Sequence, residues 1–210
     1  YTTVGRDFTV KVDARIPNKF AGKKVFYRFA AEGVYSQIGT TFTLPEDVEN
    51  FKLAIFSCSN YPAGYFNAYN SASKDKSIDM AIHLGDYLYE YKQGEYATEN
   101  SISLNRQPIP NKEIITLSDY RQRHAQYKSD MDLQKLHSTM PVLCAWDDHE
   151  ITNDAWKNNA ENHQLNEGSF SQRKRNAIKA YYEWMPVREP KISFNLSLIH
   201  ISEPTRHSSI

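Results

Sequence analysis

Three short apolar runs constrain the fold of this 210-residue chain more than any other feature. FKLAIFSC begins at Phe51, DMAIHLGD begins at Asp79 and PVLCAWDD begins at Pro141. Each run is nearly continuous rather than alternating, which is typical of a strand covered on both faces of a sheet. Helix-compatible segments separate and follow the runs, so we expect the order β-α-β-α-β-α. That order predicts an α/β fold with a mostly parallel sheet and helices on its faces.

Three helices and one long loop are expected around these strands. YFNAYNSASKDK, LSDYRQRHAQYKSDMDLQKLHSTM and FSQRKRNAIKAYYEWM are the helix-compatible segments. Ser118 is the expected N-cap of the second helix. In the third helix, Arg173, Lys174 and Arg175 are interpreted as part of a solvated face. The polar stretch 93–112 predicts a long loop, and a loop of this length is usually functional or disordered.

The first 46 residues have a different pattern. FTVKVDARI, from Phe8 to Ile16, alternates apolar and polar residues and predicts a half-buried strand. KVFYRFAAEG, VYSQIG and TTFTL are further strand candidates. We therefore expect residues 1–46 to be the C-terminal part of an all-β sandwich of the immunoglobulin or fibronectin type. Residues 47–194 are expected to hold an incomplete α/β domain.

The last residues resemble a sequencing artefact rather than natural protein. From Leu196 the sequence reads LSLIHISEPTR, which is similar to one translated frame of a sequencing-library adapter. We therefore expect residues 195–210 to be a non-native tail and exclude them from fold reasoning. The chain also begins at Tyr1 without a visible signal peptide, so we expect a fragment truncated at both ends.

Composition excludes several classes of function. The 25 Lys and Arg residues balance 25 Asp and Glu residues, so no basic excess favours nucleic-acid binding. No apolar run is long enough to predict a transmembrane helix. Cys58 and Cys144 lie far apart with no paired-cysteine motif, which excludes both a disulfide-dense scaffold and a structural zinc site of the usual spacing.

Polar, metal-competent residues follow all three predicted strands. They are Cys58 and Asn60 after the first, Asp86, Tyr87, Tyr89 and Tyr91 after the second, and Asp147, Asp148, His149 and Glu150 after the third. Because ligands of open α/β sheets bind outside the carboxyl ends of the strands, we expect these groups to share one rim. Acids packed together need a counter-charge, which a bound cation supplies. Mainly oxygen ligands favour calcium, magnesium, manganese or iron, and a phenolate favours ferric iron.

Five ordered strings make the chain recognisable at this point. SCSNYPAGYFNAY, HLGDYLYEY, DYRQRHAQYKSD, WDDHEITNDAW and YYEWMPVRE together resemble the PhoD-type alkaline phosphatases. These enzymes belong to the calcineurin-like metallophosphatase superfamily, which includes the purple acid phosphatases. The resemblance covers about residues 41–189 and implies a metallophosphatase core. The preceding β segment is similar to the end of the sandwich that these enzymes carry in front.

The resemblance implies roles for five residues. Asp86 matches the carboxylate that bridges two metals, Tyr89 matches the phenolate ligand of ferric iron, and Cys58 resembles the iron-binding cysteine of these enzymes. Asp148 matches a ligand of the second metal. His149 matches a general acid or a donor to the phosphate oxygens. Iron and calcium are therefore the expected cofactors, with other divalent metals as alternatives.

Ordinary structural roles remain open for the same positions. Asp86 could cap a helix, Cys58 and Tyr89 could pack as apolar groups, and His149 could be a satisfied structural histidine. Asp147 is expected to orient a neighbouring ligand. Asn60 and Asn153 could contact metal, water or phosphate, or could only form turns.

The function that the resemblance implies is hydrolysis of small phosphate mono- or diesters by a metal-bound hydroxide. It also implies a secreted, periplasmic or cell-surface protein, often exported by the twin-arginine route. The superfamily draws further metal ligands from its second half, so we expect the chain by itself to be inactive. The alternative is a non-catalytic envelope-binding protein with a vestigial phosphatase domain, although the retained acids and His149 argue against it.

Overall fold

The computed structural model describes residues 2–189, which contain seven strands and four α-helices. The strands are β1 (Lys24–Tyr27), β2 (Ala30–Ala31), β3 (Val34–Tyr35), β4 (Gly39–Phe42), β5 (Leu53–Phe56), β6 (Met80–His83) and β7 (Val142–Cys144). The α-helices are α1 (Asn67–Lys74), α2 (Leu117–Lys128), α3 (Met131–Thr139) and α4 (Phe170–Trp184). The expected tail at 195–210 and the domain boundary at 194 lie outside the described residues.

The three apolar runs form one parallel sheet in the order β5-β6-β7. One face of this sheet carries Phe56, Ala81 and Cys144, and these side chains contact the main core. All four helices contribute buried side chains to that same core. The predicted α/β arrangement with a parallel sheet is therefore confirmed.

The other face of the sheet is largely open, and the expectation of strands covered on both faces is wrong for the described residues. Leu53, Ile55 and Leu143 lie on this face and are 44%, 60% and 55% exposed. The reason is that the described helices all pack into a single core against the opposite face. A continuous apolar run therefore gives a parallel strand here, but it does not give two covered faces.

The long helical segment at 117–140 is two helices rather than one. Helix α2 begins after Thr116, not Ser118, because Thr116 and Asp119 form a reciprocal capping box. The chain then breaks at Asp130, whose Oδ1 accepts hydrogen bonds from the backbone N–H groups of Asp132 and Leu133 at 2.9 and 3.0 Å. Asp130 therefore caps α3 and ends the continuous helix that the periodicity predicts.

The loop at 93–112 is tied to the helices by a buried arginine. Arg106 donates from Nε to the carbonyl oxygen of Tyr61 at 2.7 Å and from Nη1 to Asp130 Oδ2 at 2.7 Å. Its guanidinium carbon lies 3.5 Å from the ring centroid of Tyr61. This segment contains no helix or strand, as predicted, and its hydrogen bonds give it one defined path.

The first 46 residues differ from expectation. Residues 8–16 form no strand, because they have no partner strand among the described residues, and Val10 and Val12 remain 51% and 67% exposed. The segment instead contacts the end of α4 and the residues after it, because Lys11 donates to the carbonyl of Tyr182 in α4 and to that of Val187, the latter at 2.9 Å. Strands β1 and β4 pair antiparallel, as do β2 and β3, but these two pairs do not form two packed layers within residues 2–189. Membership of a larger β-sandwich stays a prediction.

Helix α4 also corrects one interpretation. Arg173 and Lys174 are 1% and 2% exposed, so only Arg175 of the basic triplet faces solvent. Arg173 is buried because Glu113 pairs with it at 2.6 Å and Tyr120 accepts a hydrogen bond from its Nε at 3.2 Å. Within residues 2–189, none of the helices has the length and apolar character that crossing a membrane requires.

Candidate metal centre

Backbone hydrogen bonds hold the loops after β5 and β6 side by side. The N–H of Cys58 donates to the carbonyl of Gly85 at 3.2 Å, and the N–H of Ser59 donates to the carbonyl of Asp86 at 2.8 Å. The segment after β7 joins them, because Ala145 N–H donates to the carbonyl of His83 at 2.8 Å. The parallel sheet therefore brings the three polar strand ends to one edge, as the sequence predicts.

Gly85 allows the second and third strand ends to approach closely. Its φ of +124° lies where residues with a side chain rarely occur, and a Cβ would lie 2.5 Å from the backbone nitrogen of Asp147. A side chain at this position would thus collide with backbone rather than with a movable group. The absence of that side chain lets Asp86 lie beside the Asp147–Glu150 segment.

Three potential metal ligands meet at this edge. Single ligand atoms of Asp86, Asp148 and His149 all lie within 4.8 Å of one another. The Cys58 thiol and the Tyr89 hydroxyl each donate to Asp86 Oδ2, at 3.3 Å in both cases. The structure thus brings together all five residues to which the resemblance gives catalytic or metal-binding roles, with Asp86 at their centre.

Two of these residues adopt strained backbone conformations. Cys58 and Asp86 have φ values of 57° and 53°, in the left-handed region that favours glycine. Such conformations cost about 1–3 kcal/mol each and are concentrated at functional sites. Cys58 lies two residues after β5 and Asp86 lies three residues after β6, so both strained residues are in the loops that form the shared edge.

Unpartnered buried atoms show that the cluster suits a cation. Asp86 Oδ1 is buried with no hydrogen-bond partner among the described residues. Oδ1 and Nδ2 of Asn60, two positions after Cys58, are buried without a partner as well, but only the amide oxygen could serve a cation. Burial raises the pKa of Asp86, and the nearby Asp148 and Asp147 raise it further, whereas His149 and Cys58 oppose the rise. A positive ion would satisfy the free oxygen and offset the repulsion. The oxygen-rich donor set, with one thiol and one phenol, fits a hard cation or iron.

His149 is held on two sides. Its Nδ1 lies 2.7 Å from Glu90 Oε2, and its ring centroid lies 4.2 Å from that of Tyr89. Burial by itself disfavours the charged imidazole, but the hydrogen bond and charge of Glu90, with smaller contributions from Asp86 and Asp148, raise the pKa of His149 to about 9. The His149 imidazole is therefore held in one orientation and can carry a proton beside Asp86 and Asp148, which together with His149 form the acidic cluster.

Asp148 and the other predicted residues near it have further contacts with the backbone and with neighbouring side chains. Asp148 accepts a short hydrogen bond from the N–H of Asp154, which orients its carboxylate. Asp147 is exposed and accepts from the N–H of Asp148 at 3.0 Å. The Asn153 side chain donates to Glu161 at 2.9 Å, and this hydrogen bond does not connect it to Asp86, Asp148 or His149.

Two buried glutamates have no role assigned from the sequence: Glu90 is not singled out there, and Glu150 is named only as a metal-competent residue after the third strand. Glu90 is fully buried behind His149, and Glu150 is 1% exposed and accepts from three backbone N–H groups, those of Asp86, Tyr87 and Asp147. Burial raises the pKa of Glu150 to about 8 despite these donors. The signal for Glu90 was its place in the aromatic string YLYEY, where a charge has to find a partner.

Comparison with known proteins identifies relatives of this chain. The family model described as PhoD-like phosphatase matches residues 53–201. The chain is 41% identical over 182 residues to alkaline phosphatase D of Bacillus subtilis strain 168, an alignment that covers 85% of this chain and 30% of that protein. A solved structure of PhoD aligns with a TM-score of 0.71 and 40% identity, covering 80% of this chain and 32% of that one.

The chain thus spans about a third of the length of these relatives. The family match covers more than half of the chain, and it includes all three parallel strands and every residue of the acidic cluster. On these grounds the chain belongs to the PhoD-like phosphatase family.

Proposed function

We propose that this chain contributes part of the active site of a metal-dependent phosphoric ester hydrolase. The observation that carries the proposal is the meeting of Asp86, Asp148 and His149 within 4.8 Å at the ends of parallel strands. The Cys58 thiol and the Tyr89 phenol both donate hydrogen bonds to the Asp86 carboxylate, so two further potential ligands lie beside it. A vestigial domain would have no reason to keep unpaired buried oxygens and strained backbone at one edge.

The donor set supports a division of ligands between two cations. As the family resemblance implies, Cys58, Tyr89 and Asp86 would hold ferric iron, and Asp86 and Asp148 would hold calcium or another divalent ion. When bound, such cations supply Lewis acidity, which activates water and neutralises charge on the phosphoryl oxygens. Asp147 acts through the backbone of Asp148, whose N–H it accepts.

His149 has a separate role in the proposal. Because Glu90 accepts from Nδ1 and Tyr89 covers the ring, the imidazole is held beside Asp86 and Asp148 in one orientation. It can donate a proton to a phosphoryl oxygen or to the leaving alkoxide. The exposed edge beside Cys58 and Asp147 leaves the substrate a way in.

The substrate class and setting also belong to the proposal. Small phosphate monoesters and diesters are the expected substrates, and a secreted or cell-surface location is expected from the family resemblance. The relatives are about three times as long as this chain, so we propose that further ligands come from the length that the chain does not match. The 210 residues by themselves are then expected to show little turnover.

A chimera tests the hydrolase proposal. Residues 53–189 of this chain would replace the matching segment of the Bacillus subtilis relative, and hydrolysis of aryl phosphate monoesters and diesters would be measured. We expect metal-dependent turnover of at least one class. His149→Ala should lower kcat by about 10²–10⁴-fold with bound metal retained. The matched control His163→Ala, which removes an imidazole outside the cluster, should retain activity.

A folded, metal-loaded chimera that hydrolyses neither class would overturn the proposal. That outcome would favour the non-catalytic alternative, in which the domain is a remnant beside a polymer-binding β module.

A further inference from the structure

We propose that Glu90 is a positioning residue that decides which nitrogen of His149 faces the acidic cluster. The inference deepens the proposed function, on which its kinetic part rests. Its structural part stands on hydrogen bonds within residues 90–162. Glu90 lies four positions after Asp86 and is fully buried, so its charge has to be met by donors from the protein.

The two carboxylate oxygens of Glu90 have different partners. Oε1 accepts from the N–H of Asn153 at 2.8 Å and from Asn162 Nδ2 at 2.8 Å. The Thr152 hydroxyl lies 3.1 Å from Oε1 and shares its single proton with the carbonyl of Asn162, which is 2.8 Å away. Oε2 lies 2.7 Å from His149 Nδ1, its one hydrogen-bond partner in the part of the chain that the structure describes. One oxygen therefore anchors the segment that follows His149, and the other is reserved for the imidazole.

This arrangement fixes the ring. An ionised carboxylate can only accept, so Nδ1 has to carry a proton whether the imidazole is neutral or charged. Tyr89 lies 4.2 Å from the His149 ring by centroids, and Tyr91 lies 5.7 Å away, which opposes rotation of the ring. Nε2 is then the nitrogen left to face Asp86, Asp148 and a bound ester. The same logic orients the histidines of many metal sites and catalytic triads.

A purely structural role for Glu90 is the competing explanation. In that case the hydrogen bonds to Oε1 would matter and the contact of Oε2 with His149 would be incidental. Thr152→Val separates the two explanations, because it removes the hydroxyl that contacts both Oε1 and the carbonyl of Asn162 and leaves the His149 contact in place. Glu90→Gln, in contrast, weakens the acceptor of the Nδ1 proton with little change in side-chain shape.

The first readout is nuclear magnetic resonance of the metal-free 210-residue chain with ¹⁵N-labelled histidine. The His149 Nδ1 proton should be observed downfield and should exchange slowly with water, since it is buried and bonded to a carboxylate. Glu90→Gln should move this resonance upfield or abolish it, and Thr152→Val should leave it in place. A wild-type His149 without a proton on Nδ1 would overturn the proposal, even if Glu90→Gln fails to fold.

The second readout is kinetic, in the chimera described above. Glu90→Gln should lower kcat by about 10–100-fold with little change in KM. Thr152→Val should leave kcat nearly unchanged, and Glu90→Asp should restore part of the loss because it restores the carboxylate. Equal losses in Glu90→Gln and Thr152→Val would show a structural anchor only. A chimera without any hydrolysis would refute the hydrolase proposal, whereas the resonance of the Nδ1 proton would still decide the role of Glu90.

Discussion

Gly85 lies between β6 and Asp86, and its backbone leaves no room for a side chain. Two costs combine there, a φ of +124° and a separation of only 2.5 Å between an added Cβ and the backbone nitrogen of Asp147. Gly94 has only the first cost, since its φ is +89° and no described atom lies within 4 Å of an added Cβ. Comparing alanine substitutions at Gly85 and Gly94 therefore separates the cost of backbone strain from the cost of steric overlap.

Gly85→Ala should be far more damaging than Gly94→Ala. Strain by itself costs about 1–2 kcal/mol, and overlap with backbone adds about 1–3 kcal/mol because Asp147 has to move. We expect Gly94→Ala to lower the free energy of unfolding by the smaller amount and to leave metal binding intact. Urea denaturation measures both effects. Equal destabilisation of the two variants would contradict the close approach of the strand ends.

Lys128 is a second residue whose buried surroundings affect the stability of the folded protein. Its Nζ donates to the Tyr87 hydroxyl at 2.6 Å, and that hydroxyl also lies 2.9 Å from His137 Nε2. No carboxylate of the described residues forms an ion pair with it. Burial lowers the pKa of Lys128 to about 8, with a small opposing effect of Cys144. The ammonium in turn adds to the effect of burial in lowering the pKa of His137.

The stability of the protein should respond to pH through Lys128. Between the folded pKa of about 8 and the ordinary value of 10.5, the unfolded chain binds more protons, so raising the pH stabilises the folded state. Relative to Lys128→Met, the wild type should gain about 2 kcal/mol over this window. Denaturation at several pH values measures the difference. A difference between wild type and Lys128→Met that stays flat across this pH window would contradict the account.

At the scale of elements, strands were predicted well wherever a partner existed. The runs at β5, β6 and β7 pair as parallel neighbours, as their apolar pattern indicates. Residues 8–16 have an equally clear alternation but no partner among the described residues, and they form no strand. Alternation records a preference for a pleated surface, whereas pairing depends on residues distant in sequence. That second condition cannot be derived from the segment alone.

The break between α2 and α3 could have been predicted from Asp130, which is a favourable N-cap residue in the middle of a helical pattern. Its second function could not, because Asp130 also pairs with Arg106 of the long loop at 2.7 Å. Both side chains are nearly buried, at 7% and 6% exposure. The break in the helix and the path of the loop therefore depend on the same carboxylate.

Asp130→Ala should destabilise the protein strongly. It removes a cap worth about 0.5–2 kcal/mol and leaves the Arg106 charge buried without its partner, a change that typically costs about 3–5 kcal/mol. We expect the free energy of unfolding to fall by about 5 kcal/mol in total. Asp132→Ala, in the first turn of the same helix, should cost less than about 1 kcal/mol. Thermal unfolding of both variants tests this, and similar melting temperatures would contradict it.

At the scale of the whole molecule, the fold explains why residues far apart in sequence form one site. Cys58, Asp86 and Asp148 each follow a different strand, and the parallel order of the sheet places those strand ends together. The sequence predicts this because polar residues follow every apolar run. It does not predict Glu90 as the partner of His149, since that contact depends on the path of the loop after β7.

The most direct test of the account is the metal content of Asp86→Asn. The chimera described above, with and without this substitution, would be loaded with ferric iron and calcium, dialysed, and analysed for bound metal by mass spectrometry. Asp147→Asn is the matched control, because the same chemical change is made at an exposed neighbouring carboxylate. We predict that Asp86→Asn lowers affinity by at least about 100-fold, more than loss of an outer partner usually costs. Asp147→Asn, which acts only through Asp148, should lower the affinity clearly less than Asp86→Asn does. Full retention of metal by Asp86→Asn would contradict a centre built on that carboxylate.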